Sequence, residues 1–95
     1  MRIRYTRRAF ADREAIFEYL DRRNPQAARS VKAFIKKRIG DLRHLPERYP
    51  LVGQRDARAL FLARYPYMVY YRVSGDEIVI LHIRQAARRP WETED

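Results

Sequence analysis

The chain has 95 residues, of which 21 are Lys or Arg and 12 are Asp or Glu, giving a net charge of +9, and it contains no cysteine. This length supports one hydrophobic core, so we expect a single domain over residues 1–95, and the lack of cysteine excludes disulfides and thiolate metal sites. The charge favours nucleic acid, the ribosome or an acidic protein as partner over a small metabolite.

The N-terminal quarter predicts a strand followed by an amphipathic helix. Residues 2–6 alternate between apolar and polar side chains, which is the period of a strand with one wet face. From Arg7 to about Arg23, apolar residues recur at spacings of three, four and seven and form one stripe of a helix. Thr6 is placed to cap this helix, because its hydroxyl can accept a free backbone N–H.

A second helix is predicted to begin at Asn24-Pro25. Asn accepts hydrogen bonds from the free N–H groups of a new helix, and Pro is preorganised at its first position. Apolar residues keep a 3.6-residue period as far as Leu42, and Pro46 marks the end. Because the joint is so short, the two helices are expected to pack as an antiparallel hairpin.

Three further strands are expected after a loop from Pro46 to Arg58. They are predicted at residues 59–63, 67–73 and 77–84. The last strand is apolar on both faces, so it should lie inside the sheet. The predicted fold is α+β with the order βααβββ: an N-terminal strand and an antiparallel helix hairpin packed on an antiparallel sheet, followed by a basic C-terminal tail over residues 84–95.

The residue patterns of common enzyme and metal sites are absent. Neither His44 nor His82 has a carboxylate at a known ligand spacing, so we expect no metal and no cofactor. Ser30 and Ser74 lack the surroundings of a nucleophile. His82 lies in a predicted strand between apolar residues, which is more typical of a hydrogen-bonded structural histidine than of a general base. No apolar run reaches the about 20 residues that cross a bilayer, so we expect a cytoplasmic protein without membrane contact.

Arginines and aromatic residues are interleaved through the C-terminal half. The set comprises Arg55, Arg58, Arg64, Arg72, His82, Arg84, Arg88, Arg89 and Trp91, with Tyr65, Tyr67, Tyr70 and Tyr71 among them. Such arginines can hold phosphates or carboxylates while the rings stack on bases or fill a pocket of a protein partner. The alternative is ordinary solvated charge with Tyr67 and Tyr71 in the core, and we favour it for these two tyrosines.

Four segments resemble the RelE/ParE superfamily of toxins from bacterial type II toxin–antitoxin systems. They are NPQAA at residues 24–28, ARYPYMVYYRV at 63–73, GDEIVILHIR at 75–84 and ARRPW at 87–91. Each is weak alone, but their order and spacing are specific for the superfamily. The resemblance implies a cognate antitoxin, ParD-like or of another type, in a hetero-oligomer whose antitoxin carries the contact with operator DNA.

The superfamily contains two kinds of toxin, and the resemblance to the ParE-like branch is the closer one. RelE-like members are ribosome-dependent messenger RNA endonucleases, whereas ParE-like members inhibit DNA gyrase. The ribonuclease pattern is broken here, because Met68 stands where that branch has an arginine and Trp91 cannot replace the expected tyrosine in proton transfer. The resemblance therefore favours a stoichiometric gyrase inhibitor that is not an enzyme.

The resemblance also implies contact residues. Those expected to touch the target are Arg84, Arg88, Arg89 and Trp91. Those expected to touch the antitoxin are Phe10, Phe17, Phe34, Tyr70 and Arg72. If the chain were instead a ribonuclease, the candidate catalytic residues would be Arg58, Arg64, His82 and Arg88. A RelE-like endonuclease and a nontoxic basic nucleic-acid-binding module stay open as alternatives.

Overall fold

The computed structural model describes residues 1–53 and 56–86, which form two helices and five strands. The elements are β1 (Arg2–Tyr5), α1 (Arg7–Arg23), α2 (Pro25–Asp41), β2 (Leu51–Val52), β3 (Ala57–Phe61), β4 (Tyr67–Ser74) and β5 (Glu77–Gln85). The α+β class and the order βααβββ are confirmed, with the two-residue β2 as an addition. In the part of the chain described, no helix is long and apolar enough to cross a membrane.

Both helices begin at the caps that the sequence predicts. The Thr6 hydroxyl accepts the Ala9 N–H at 3.1 Å, and the Asn24 side chain accepts the Ala27 N–H at 3.1 Å. Asn24 also closes α1, since its own N–H donates to the Leu20 carbonyl. Lys32 of α2 pairs with Asp21 near the end of α1 at 2.9 Å, which shows that the helices form an antiparallel hairpin.

The sheet has the strand order β1-β5-β4-β3-β2 and is mixed. β1 runs parallel to β5, with Ile3 opposite Ile78, and the other pairs are antiparallel. The sequence predicts an antiparallel sheet, and the parallel pairing of β1 with β5 corrects this expectation. The chain returns to β1 only after the helix hairpin and three strands, and its last strand then runs in the same direction as the first. β5 lies between β1 and β4, as its apolar sequence on both faces predicts.

The segment predicted as one loop from Pro46 to Arg58 is partly strand. Leu51 pairs with Arg58, and β3 begins at Ala57, two residues earlier than the sequence indicates. The β4–β5 turn is tight, and its Gly75 has a φ of 61°, a left-handed conformation that glycine adopts at little cost.

The core lies between the helix hairpin and one face of the sheet. Its buried members are Ala9, Val31, Ile35, Ile39, Leu42, Leu60, Leu62, Tyr67, Val69, Tyr71, Ile78, Ile80 and Ile83. Tyr67 and Tyr71 are in the core, as the sequence favours. The Tyr71 hydroxyl donates to the Pro46 carbonyl at 2.6 Å, which ties the loop after α2 to the sheet.

A bulge in β5 sets the orientation of the residues beyond it. Tyr71 pairs with Ile80 while Tyr70 pairs with His82, so Leu81 has no partner on β4. Paired residues share a face of the sheet, and His82 therefore lies on the side opposite Tyr71 and Ile80. Ile83 then returns to the core face.

Candidate functional site

A pocket of about 400 Å³ opens where the chain leaves β5. One side of α1 supplies Asp12, Ile16 and Tyr19, which follow one another at helical spacings of four and three. Tyr67 is the first residue of β4 and Arg84 the last but one of β5, and both line the opposite wall. The pocket therefore combines a carboxylate, two phenols and a guanidinium over an apolar floor.

Beyond the end of β1, the outer edge of β5 has no neighbouring strand, and side chains of α1 and its cap make hydrogen bonds to its backbone instead. β1 stops at Tyr5, and the Thr6 N–H makes a last backbone bond to the Ile80 carbonyl at 3.0 Å. Beyond it, the Thr6 hydroxyl donates to the Leu81 carbonyl at 3.2 Å, and the Asp12 carboxylate accepts the Ile83 N–H at 3.0 Å. These contacts satisfy backbone groups that would otherwise be left open at the edge.

His82 is fixed between two charged side chains of α1. It is 6% exposed, its Nδ1 lies 2.7 Å from Asp12 Oδ2, and its Nε2 lies 3.3 Å from Arg8 Nη2. Arginine donates only, so Nε2 is the acceptor and Nδ1 carries the proton that is donated to Asp12. A histidine with both ring nitrogens engaged has no free position for proton transfer with a substrate.

Arg84 and Tyr70 continue this set of contacts to the end of the sheet. Arg84 donates from Nε and Nη2 to the Tyr70 hydroxyl at 3.0 and 2.8 Å, and the Tyr70 ring stacks on His82 with centroids 5.8 Å apart. Tyr70 is 2% exposed. Arg84 belongs to β5, which runs to Gln85, and is not the first residue of a separate tail. The contacts hold the Arg84 guanidinium at the pocket.

Tyr67 places a phenol in the pocket wall. Burial, and secondarily the neighbouring Tyr19 phenol, raise the pKa of Tyr67, so it remains a neutral hydroxyl at physiological pH. The site thus offers hydrogen-bond donors and acceptors beside apolar surface, which suits binding. Within residues 1–53 and 56–86, no three His, Cys, Asp or Glu side chains are grouped as metal ligands would be.

The residues named for a ribonuclease do not converge. Arg58 lies on the helix side of the sheet, where Nη1 donates to the Glu47 and Tyr49 carbonyls at 3.0 and 2.8 Å. His82 lies on the opposite side. Arg64 is exposed in the turn before β4, with its guanidinium 5.6 Å from the centroid of the Tyr65 ring. Arg88 is outside the described residues.

The residues named for the antitoxin fall in separate places. Phe10 and Phe17 lie on α1, and Phe10 is 50% exposed. Phe34 of α2 is half-buried against Tyr65, with ring centroids 5.4 Å apart. Arg72 is exposed on β4. Tyr70 offers almost no surface, because Arg84 and His82 contact it, so a partner would have to displace them to reach it.

One candidate contact was missed by sequence reasoning. The Arg13 guanidinium carbon lies 4.6, 5.1 and 5.9 Å from the ring centroids of Tyr5, Phe10 and Phe17. Cation–π attraction operates at such distances. We call these four residues the Arg13 cluster. The spacing of residues 10, 13 and 17 places three of them on one face of a helix, and this was the signal in the sequence. Arg88, Arg89 and Trp91, named for the target, lie outside the described residues.

Solved structures of toxins share this fold. The chain matches a chain of the structure titled "Chromosomal ParDE TA system from P. aeruginosa" with a TM-score of 0.77 and 28% identity, over 90% of this chain and 95% of that one. It matches the isolated E. coli RelE toxin with a TM-score of 0.65 over 98% of this chain and 92% of that one. At 18% identity, the second match shows the fold alone. The fold is that of the RelE/ParE class of toxins.

The sequence comparison gives the family within this class. The model of the family described as "ParE toxin of type II toxin-antitoxin system, parDE" matches residues 3–90. The "Putative toxin Y4kP" of Sinorhizobium fredii (strain NBRC 101917 / NGR234) is 34% identical over 90 residues, 88% of this chain and 90% of that protein. The chain belongs to the ParE family of type II toxin–antitoxin toxins, which confirms the resemblance seen in the sequence.

Proposed function

We propose that this toxin arrests growth by binding DNA gyrase in the cytoplasm, as a stoichiometric inhibitor, and that a cognate antitoxin neutralises it in a hetero-oligomer. Membership of the ParE family supports the gyrase branch. The observation that carries the choice against RNA cleavage is the separation of Arg58 and His82 onto opposite sides of the sheet. Cleavage at a 2′-hydroxyl requires cations and a proton-transfer group around one phosphate.

The target surface in this proposal begins at Arg84 and continues through Arg88, Arg89 and Trp91. Arg84 supports it because two of its nitrogens donate to Tyr70, and Tyr70 stacks on His82. A guanidinium restrained in this way loses less conformational entropy on binding than a free one. Arginine and tryptophan are also the residue types that contribute most to protein interfaces.

The experiment is a supercoiling assay with purified gyrase and the full chain, run beside a cleavage assay on translated messenger RNA. We expect the wild-type chain to block supercoiling and to leave the message intact. The double variant Arg88→Gln/Arg89→Gln should lose about 30-fold or more in inhibition, the loss typical of one interface hot spot. Arg7→Gln/Arg48→Gln removes the same charge from exposed positions elsewhere and should inhibit as the wild type does.

Discrete cuts in the translated message with normal supercoiling would replace this proposal by the RelE-like alternative. A chain that is inert in both assays and harmless when induced without its antitoxin would instead support the nucleic-acid-binding module.

The antitoxin surface in this proposal is centred on the Arg13 cluster, with Phe34 and Arg72 as further contacts. Phe10 is half exposed beside the Arg13 guanidinium, whose side chain is 22% exposed and whose Nη2 lies 3.5 Å from the exposed Glu14 carboxylate. An amphipathic acidic segment would cover the rings and pair with the guanidinium.

A further inference from the structure

The solvent side of α2 carries an unbalanced positive charge. The helix contains five Lys or Arg residues and one acidic residue, Asp41. Arg29 and Lys36 are seven residues apart, and Arg43 follows after another seven, just past the end of the helix. This spacing places all three on one side, along about 21 Å at 1.5 Å per residue. We call Arg29, Lys36 and Arg43 the basic stripe.

The charges of the basic stripe are available to a ligand. All three side chains are exposed, and within the described part of the chain none of them makes an ion pair. The neighbouring Lys32 and Lys37 are paired, at 2.9 Å with Asp21 and 3.1 Å with Asp41. Among the described residues, no carboxylate neutralises the three charges of the basic stripe.

Gly40 lies between Lys36 and Arg43 in the sequence, and its lack of a side chain leaves space next to the helix for the Arg43 guanidinium. A Cβ added at Gly40 would stand 3.5 Å from Arg43 Nη1, so the guanidinium lies back over this bare position. Arg43 Nε donates to the Met1 carbonyl at 3.1 Å, which ties the side chain to the residue before β1. Its remaining N–H groups can donate to an anion.

The surroundings of the stripe indicate what kind of anion it fits. Its exposed neighbours on α2 include Gln26, Ser30 and Ala33, and no large apolar side chain is exposed on the helix itself; beyond the helix, Met1 and Leu45 are exposed at the Arg43 end of the stripe. Protein interfaces need buried aromatic or apolar anchors, and single-stranded nucleic acid needs rings for its bases to stack on. A duplex requires neither, because it presents rows of phosphates on a rigid rod.

We propose that the basic stripe binds the phosphates of double-stranded B-form DNA without reading its sequence. The convex surface of a helix fits the major groove of B-form DNA, about 12 Å wide, whereas the major groove of duplex RNA is too narrow to admit it. This contact goes beyond the proposed function, since it holds whether or not gyrase is the target. Recognition of the operator sequence stays with the antitoxin.

The test measures binding of the full chain to a labelled 25-base-pair DNA of arbitrary sequence by fluorescence anisotropy across a salt series. The triple variant Arg29→Gln/Lys36→Gln/Arg43→Gln should bind about tenfold or more weakly, and the slope of log K against log salt should fall by about 0.9 for each phosphate that the variant no longer neutralises. Arg29→Lys/Arg43→Lys keeps the charges and should keep the slope.

The matched control is Arg7→Gln/Arg48→Gln/Arg64→Gln, which removes three exposed charges outside the stripe that, among the described residues, also make no ion pair. It lowers the net charge equally and should retain most of the binding and of the slope. Circular dichroism establishes that each variant is folded. Equal losses in the two triple variants, no binding by the wild type, or tighter binding to an RNA duplex or polyglutamate than to DNA would each overturn the proposal.

Discussion

Asp12 accepts two hydrogen bonds in the pocket wall, one from a backbone N–H and one from a side chain. Its carboxylate accepts the Ile83 N–H at 3.0 Å and the His82 Nδ1–H at 2.7 Å. Asp12→Ala removes the acceptor of both hydrogen bonds, and we expect a loss of about 1–3 kcal/mol in the free energy of unfolding. Urea denaturation measures it. Glu14→Ala removes an exposed carboxylate, 3.5 Å from Arg13, and should change stability by less than about 0.5 kcal/mol. Equal losses would show that Asp12 is not a special partner.

Glu77 makes the stability of the sheet edge depend on pH. Hydrogen bonds from Arg4 and then Arg2 lower the pKa of Glu77, so the fold favours the carboxylate form. The stabilisation is complete above the ordinary glutamate pKa of about 4.3 and is lost as the pH falls through the lowered value. Glu77→Gln lacks it, so the gap in melting temperature between wild type and variant should close as the solution is acidified. A gap that stays constant from pH 7 to pH 3 would contradict this origin.

Asn24 lies between the two helices and makes a capping hydrogen bond with each of them. Its N–H closes α1 on the Leu20 carbonyl, and its side chain opens α2 on the Ala27 N–H. Asn24→Ala keeps the first bond and removes the second, and we expect it to cost about 1 kcal/mol. Asn24→Asp keeps an acceptor and should cost much less. Thermal denaturation distinguishes the two variants, and equal melting temperatures would show that the cap adds nothing to the hairpin.

The elements that the sequence predicts well are those defined by local rules. A helix stripe, the caps Thr6 and Asn24, and the Gly75 turn depend on neighbours within a few residues. The parallel pairing of β1 with β5 joins residues about 75 positions apart, such as Arg2 and Glu77. No local sequence pattern encodes this pairing. The sequence does not predict the bulge at Leu81 either, because Ile80, Leu81 and Ile83 belong to a single, mostly apolar strand pattern with no turn residue in it.

The sequence predicts the role of a site residue only where the type of that residue and its immediate neighbours restrict its role. His82 between apolar neighbours indicates a structural role, and its contacts with Asp12 and Arg8 agree with that. The burial of Tyr70 under Arg84 depends on the bulge, and Asp12 meets His82 only after the chain has folded. The sequence predicts Arg58 at the end of a loop, among the basic residues of the C-terminal half, but it lies on β3, on the side of the sheet opposite His82.

At the scale of the molecule, the antitoxin and target contacts proposed above involve different residues, so substitutions should affect them separately. Phe10→Asp removes an exposed ring and places a second carboxylate beside Arg13, in addition to Glu14, so that an acidic partner is repelled. Losing such an anchor costs about 2 kcal/mol or more, roughly 30-fold in affinity. We expect this variant to arrest growth even with the antitoxin co-expressed, whereas Ala11→Asp, one residue along α1, should still be rescued. Arg88→Gln/Arg89→Gln should do the reverse: it should bind antitoxin in a pull-down but leave cells growing. If Phe10→Asp is rescued as fully as Ala11→Asp, the antitoxin does not use the Arg13 cluster.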